Sequence, residues 1–483
     1  MNDQETPRVK RIKRTKIVAT IGPASSDRKQ IAQLVSAGVD VFRLNMAHGD
    51  LDQHDAVLEN IRDVSAEAGR PIGVLADLSG PKIRLGTLVE DPTVCEIDDE
   101  FRFLRGTESS APTDLTCNYA PLVDELSVGD QVMLADGTVH MQVVEKNGDS
   151  VTCKVVGPGE IRSRQGINLP GVKLSVPSLT EDDRRHAAWA AQKKIDFVGL
   201  SFVRSHKDVR ELKDLLRSLG TTAMVVAKIE KAEALVELDD VIFEADAVMV
   251  ARGDLGVETD VAETPLVQKR IVAACARLCK PVIIATQMLS SMEHSRRPTR
   301  AEVTDVANAI IDGADACMLS GETAIGDYPL ETVKMMSRII RATERELHDT
   351  PPKPPASGGA AGVHPITSAV VYGAGRIAAQ LHARLTVVAT HSGGTARVKA
   401  KQRDFIPTIG LSDSTSVLRQ MCLLWGVTPL ANAPMGDPPA LRQFVVEWGR
   451  KQKQLTEGDL VVFVTGTGLV RAAHNLIVVH EVE

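Results

Sequence analysis

The chain has 483 residues, enough for about three domains on the usual length prior, and at 43% hydrophobic and 25% charged it has the make-up of a soluble globular protein. Acidic residues outnumber basic ones, 63 to 56, for a net charge of −7, which argues against a general nucleic-acid binder, and no apolar run approaches the ~20 residues of a membrane span. The first residues show no secretory apolar region, and seven cysteines without paired spacing fit a reducing cytoplasm.

In chain order, the basic run RVKRIKRTK (Arg8–Lys16) reads as a solvated lead-in to a first strand, KIVAT (16–20). A helix near 27–37, the strand VDVFRLN (39–45), a helix around 54–68 and the strand PIGVLADL (71–78) follow. The segment 82–176 has another texture, short-stranded and turn-rich, with Asp-Gly and Asn-Gly hairpin signals. It reads as a small all-β domain inserted after the third strand and placed to act as a lid.

The strand–helix alternation then resumes with DFVGLSF (196–202), AMVVAKIE, DAVMVARGDLGVE, PVIIATQ (281–287) and ACMLSGE (316–322). Eight strand candidates with helices between them predict a (β/α)8 TIM barrel. Cys275 and Cys279 fall four apart on one of the helices, without a histidine or second pair beside them, and read as packing. Nearly every strand ends in polar residues, which describes one reactive rim at the carboxyl ends of the strands. The apolar runs 224–227 and 247–250 carry the densest charge: Lys228 and Glu230 after one, Arg252 and Asp254 after the other. Two carboxylates at one rim suit a magnesium ion, which takes one or two of them and completes its shell with water and phosphate oxygens. Lys228 is placed to neutralise an anion bound there.

A proline- and glycine-rich linker, 349–362, leads to a C-terminal α/β domain, 363–483. Gly373-Ala374-Gly375-Arg376-Ile377-Ala378 matches a dinucleotide fingerprint, but the preceding ITSAVVY has no turn signal and predicts one continuous helix. The loop HSGGTAR (391–397) follows a strand, opens a helix and offers hydroxyls and glycine N–H groups to an anion, or simply caps that helix. No short-period internal repeat stands out.

The stretches KIVATIGPAS, FRLNMAHG, GPKIR, NLPG, VVAKIE, MVARGDLGVE, ATQMLSSM, RPTRAEVTDVANA and MLSGETAIGDYP identify the chain as similar to the pyruvate kinases over essentially its whole length. The resemblance implies a TIM barrel (1–81 and 177–348), an inserted β-barrel lid (82–176) and a C-terminal effector domain. It also implies a homotetramer that works in the cytoplasm, apart from nucleic acid and membrane. The reaction implied is phosphoryl transfer from phosphoenolpyruvate to ADP, with Mg2+ held by Glu230 and Asp254. Lys228 and Arg43 would stabilise charge on the group in flight, and Gly253 and Asp254 would present N–H groups to the substrate carboxylate. Thr286 would sit beside the carbon that gains a proton. Asn45, His48 and Arg84 match residues that receive the nucleotide phosphates, and Asp136 matches a lid residue that descends on closure.

Ala47, Leu78, Ser79, Lys82, Gln165 and Ile325 depart from the family's commonest residues. Asn45 and Asp77 remain from the usual monovalent-cation site, but two hydroxyls are gone and Lys82 stands where potassium-dependent members carry a glutamate. The expectation is an enzyme that does not require K+. Thr390, Ser392, Gly393, Gly394 and Thr395 are the expected seat of a phosphorylated allosteric effector. The alternatives are a magnesium-dependent lyase or aldolase acting on a pyruvate enolate, and a non-catalytic metabolite sensor.

Overall fold

The computed structural model describes residues 13–135, 137–348, 363–465 and 476–483. Eight parallel strands close into a barrel: Lys16–Thr20, Val41–Asn45, Gly73–Asp77, Phe197–Leu200, Met224–Ile229, Ala247–Ala251, Val282–Ala285 and Ala316–Leu319. They are buried along nearly their whole length because they pack inward on one another and outward on the helices that join them. The helices start where the sequence supplies acceptors for orphan N–H groups. Asp50, Thr180 and Thr299 each close a capping box, and Asp27 accepts from Lys29 and Gln30.

Two details differ from the sequence reading. The fifth strand runs on through Lys228 to Ile229, paired with Met249 and Val250, so Lys228 is a residue of the strand and not of the loop after it. The sixth strand passes directly into a short helix, Arg252–Glu258, so the charges that follow it open a helix.

Between the third and fourth strands the inserted segment forms a six-stranded sheet and a two-stranded one over a core of its own. Its strands 131–134, 139–147 and 150–157 pair antiparallel in turn, the last two through a hairpin at the Asn-Gly signal. Asp136 and the linker 349–362 lie outside the described residues. The C-terminal unit is a five-stranded sheet in the order 427–430, 408–411, 385–389, 460–465, 476–481, its last strand antiparallel. Gly373 and Gly375 lie inside the helix Pro365–Gln380. A Cβ on Gly375 would stand 2.5 Å from Gln402 Oε1, so close packing accounts for that glycine, and no strand-to-helix turn is present for a dinucleotide.

The floor of the barrel, opposite the polar rim, is stitched by four aspartates. Asp40, Asp196, Asp246 and Asp315 each stand immediately before an even-numbered strand. Each turns a side-chain oxygen back to the N–H of the preceding odd strand: Ile17, Val74 and Val225 at 2.9 Å and Val282 at 2.8 Å. The first two are met by barrel cations, Lys13 and Arg70 at Asp40 and Arg62 at Asp196, and Asp246 by Lys213. The C-terminal unit supplies further partners, Arg419 to Asp196 and both Lys401 and Arg403 to Asp315. It also sends Cys422 and Leu423 into the apolar cluster inside the barrel, with Val41, Leu75 and Phe197.

Removing one member of a buried ion cluster strands the charges left behind. Asp315→Asn, which faces Lys401 and Arg403 with a neutral amide, is therefore expected to cost ~3–5 kcal/mol. Asp246→Asn, whose cation Lys213 is partly in solvent, is expected to cost only about 1 kcal/mol. Urea unfolding of the two variants checks the order; equal losses would mean that the C-terminal cations add nothing to the floor.

Candidate active site

At the carboxyl end of the barrel the second, third, fourth and fifth strands bring four charged groups together below solvent. Lys228 lies 2.9 Å from Glu230 Oε1 and 3.4 Å from Asp77 Oδ1, and donates to Ser201 Oγ at 2.7 Å. Asp77 Oδ2 accepts from Arg43 Nε at 2.6 Å, and Arg43 also reaches Thr20 Oγ1 at 3.2 Å. Asp77 Oδ1 is buried without a hydrogen bond; at 3.4 Å it sees the ammonium as a charge. A Cβ on residue 199 would come within 2.7 Å of that oxygen, so glycine at 199 is what allows the fourth strand to pass beside the carboxylate.

Burial favours the neutral form of an ionisable group, and for Lys228 and Asp77 the pairing reverses it. Burial works to lower the Lys228 pKa, but Asp77 and Glu230 together carry it above the usual lysine value. Burial likewise works to raise Asp77, and Lys228 and Arg43 together hold it below the ordinary aspartate value. Both therefore stay ionised through neutral pH. Lys228 and Arg43 balance Asp77 and Glu230, so the cluster is close to neutral before any ligand arrives.

Glu230 Oε2 accepts the N–H of Phe202 at 2.8 Å, and Phe202 takes a positive φ of 54° to present it. Across the rim, Thr286 and Gln287 also adopt positive φ, 61° and 54°. That is strained for a β-branched threonine and common only where the surroundings demand it. The Thr286 hydroxyl accepts from the N–H of Gly253 at 2.8 Å and donates to the carbonyl of Ala285 at 2.7 Å. The Gly253 N–H expected to face a substrate carboxylate is thus engaged with Thr286. Arg252 points away from the mouth. It is buried and ties the loop after the seventh strand in place through the carbonyl of Thr286 and the carboxylate of Asp305, both at 2.7 Å.

Asp254 lines a cleft between barrel and inserted domain together with Lys82, Phe202, Arg204 and Lys231. Among the described residues no three His, Cys, Asp or Glu side chains converge into a metal cage. Glu230 and Asp254 are hard oxygen donors, which fits a cation that fills most of its shell with water and substrate oxygens. Asn45 and His48 stand at the end of the second strand, where Asn45 Oδ1 accepts the N–H of Ala47 at 3.3 Å and His48 is exposed. Arg84, at the entry to the inserted domain, donates to the carbonyl of Arg164 at 3.1 Å. Gln165 spends its side-chain oxygen on the N–H of Arg162 at 2.7 Å, and Ile325 is exposed.

In the C-terminal unit the loop follows the strand Leu385–Ala389 and opens the helix Gly394–Lys401. Thr390 and Thr395 are buried, and the Thr390 hydroxyl accepts the N–H of Gly393 at 3.1 Å. Ser392 is the exposed hydroxyl of the five residues.

The sequence reading did not single out three groups that matter here: Ser201 as the hydrogen-bond partner of Lys228, Glu322, and the buried pair Lys231–Glu258. Glu322 accepts the N–H groups of Ser320 and Leu289, and burial pushes its pKa up. Ser201 and Glu322 were visible only as polar strand ends, and the pair left no local signal.

Known proteins resemble the chain over nearly its whole length. Residues 12–333 match the profile described as pyruvate kinase, barrel domain, and residues 368–480 the profile described as pyruvate kinase, alpha/beta domain. The pyruvate kinase of Mycobacterium intracellulare is 40% identical over 97% of this chain and 98% of its own. That of Corynebacterium glutamicum is 39% identical, covering 97% of each. The crystal structure of a Cryptosporidium parvum pyruvate kinase superposes with a TM-score of 0.88 at 30% identity, over 98% of this chain and 96% of that one. The lyase and sensor alternatives fall away. The chain belongs to the pyruvate kinase family, the phosphotransferases that carry a phosphoryl group between phosphoenolpyruvate and ADP.

Proposed function

We propose that transfer takes place at the Lys228 cluster, in the presence of a magnesium ion bound by Glu230 and Asp254, in a potassium-independent enzyme under allosteric control. The observation that carries this reading is the buried Lys228 held by Asp77, Glu230 and Ser201. Phosphoryl transfer demands little covalent chemistry from a protein; it demands position and charge stabilisation. Lys228 and Arg43 supply fixed positive charge from strands, with no reorganisation at the moment of transfer. A divalent cation at Glu230 and Asp254 supplies neutralisation of the substrate's anionic oxygens. Gly253 and Asp254 open a helix whose N–H groups suit a carboxylate, and the Gly253 N–H would exchange Thr286 for substrate. The hydroxyl released in that exchange would stand beside the carbon that gains a proton. Asn45, His48 and Arg84 would take the phosphates of ADP, and Asp136 would come down with the lid.

The assignment is tested with phosphoenolpyruvate and ADP in a coupled assay for pyruvate. Glu230→Gln and Asp254→Asn each take a hard anionic donor from a site with few, so both variants should fold normally and lose ~100-fold or more in kcat/KM at limiting magnesium. Near-normal turnover in both moves the cation elsewhere.

Potassium independence rests on three side chains. Leu78 is fully buried and Ala47 is a methyl group, so neither brings a hydroxyl to a monovalent ion. Lys82 lines the same cleft as Asp254, where an ammonium can stand in for the ion. Wild type is expected to turn over at full rate in potassium-free buffer with an inert organic cation, and Lys82→Glu to fall sharply. Strong activation of the wild type by potassium would sink this reading.

For regulation, we assign the 390–395 loop to a sugar phosphate or nucleoside monophosphate, in a cytoplasmic homotetramer. The support is a glycine helix start with Gly393 at φ 80° and Ser392 exposed beside it. In a thermal-shift screen of phosphorylated metabolites, ligands that stabilise the wild type should fail to stabilise Ser392→Asp. Equal shifts in both proteins place the effector elsewhere.

A further inference from the structure

The hydrogen-bonded ladder between the fifth and sixth barrel strands reaches its last pair at Ile229 and Val250. Glu230 is the next residue beyond it, and Asp254 lies on the short helix Arg252–Glu258 that follows the other strand. The ladder therefore stops before it can set the spacing of the two carboxylates. A buried side-chain contact crosses the gap. Lys231, directly after Glu230, pairs with Glu258, one helical turn after Asp254, and the two side chains are 9% and 1% exposed. Residues four apart share a helix face, so the grip on Glu258 acts on the turn that carries Asp254. On its other side the Lys231 ammonium lies 6.0 Å from the centre of the Phe202 ring, and it is the Phe202 N–H that holds Glu230 Oε2. Lys231 thus bears on the support of both carboxylates.

A buried ion pair is a poor way to gain stability, because desolvation of the two charges offsets most of their attraction, and apolar replacements of similar size are often no worse. Its value lies in fixing geometry. Groups that hold metal ligands in place, without touching the metal, are typically worth 10–100-fold in affinity. We propose that Lys231 and Glu258 are a positioning pair that sets the separation of Glu230 and Asp254, and through it the affinity of the site for a divalent cation. This rests on the reading of Glu230 and Asp254 as the ligands of that cation.

The test is direct binding of Mn2+ to the full-length protein without substrates, read by the electron paramagnetic resonance signal of the free ion. Wild type is compared with Lys231→Arg, with the double variant Lys231→Met/Glu258→Leu and with Glu230→Gln. The double variant removes one charge of each sign, so local net charge is unchanged and no buried charge is left alone. It should unfold at or above the wild-type temperature, yet bind Mn2+ ~10-fold or more weakly. Lys231→Arg, which keeps the pair, should recover most of the affinity, and Glu230→Gln should lose nearly all of it. A double variant that binds Mn2+ like wild type, while Glu230→Gln does not, overturns the positioning role alone. Wild-type binding by Glu230→Gln overturns the ligand assignment, and the inference with it.

Discussion

The site depends on keeping an ammonium charged where little water reaches it. Lys228 is a strand residue, flanked by Ala227 and Ile229, both fully buried, and an unpaired cation in that position would lose its proton. Asp77 from the third strand and Glu230 from its own strand end prevent this, and Arg43 from the second strand keeps Asp77 in turn from carrying unbalanced charge. The arrangement constrains elements that bear no charge. Residue 199 must be glycine for the fourth strand to clear the Asp77 carboxylate, and Ser201 must follow on that strand to give the ammonium a neutral acceptor. Removing one partner of such a set typically costs ~3–5 kcal/mol, because the others are left desolvated and alone.

That balance also bears on the proposed binding of phosphate and carboxylate there. A reaction that brings phosphate and carboxylate into a pocket meets two fixed cations whose counter-charges are already in place. Glu230 is a partner of Lys228, so a cation bound to it would loosen its hold on the ammonium and free positive charge for the substrate. The strained backbone at Phe202, Thr286 and Gln287 lies around this centre, as expected where preorganised donors are wanted.

Much of this was legible in the amino-acid order. Apolar runs ending in polar residues give the barrel and its rim, because a strand buried on both faces can show its charge only at an end. The Asn-Gly pair marks a hairpin because few residues accept the backbone of so tight a turn. What stayed hidden depends on contacts across the fold. Lys231 and Glu258 are 27 residues apart, and on paper each is an ordinary polar residue beside a strand or on a short helix. Lys228 was read as following its strand because charge ordinarily ends one; the Asp77 and Glu230 carboxylates are what allow it inside. The floor aspartates read as ordinary polar residues at the starts of strands because nothing in their neighbourhoods tells that a backbone N–H from another strand is waiting for each of them.

Those four aspartates carry a further implication. Asp40, Asp196, Asp246 and Asp315 fall before the second, fourth, sixth and eighth strands, and each side chain closes on the strand just before its own. The unit that recurs is two strands long, a quarter of the barrel, with its own internal stitch. Such recurrence is what repeated copying of a small β-α-β-α ancestor would leave behind, long after the rest of each copy had diverged. The inserted domain then lies within the second quarter, and the C-terminal unit lends its cations to the floor aspartates of the second and fourth.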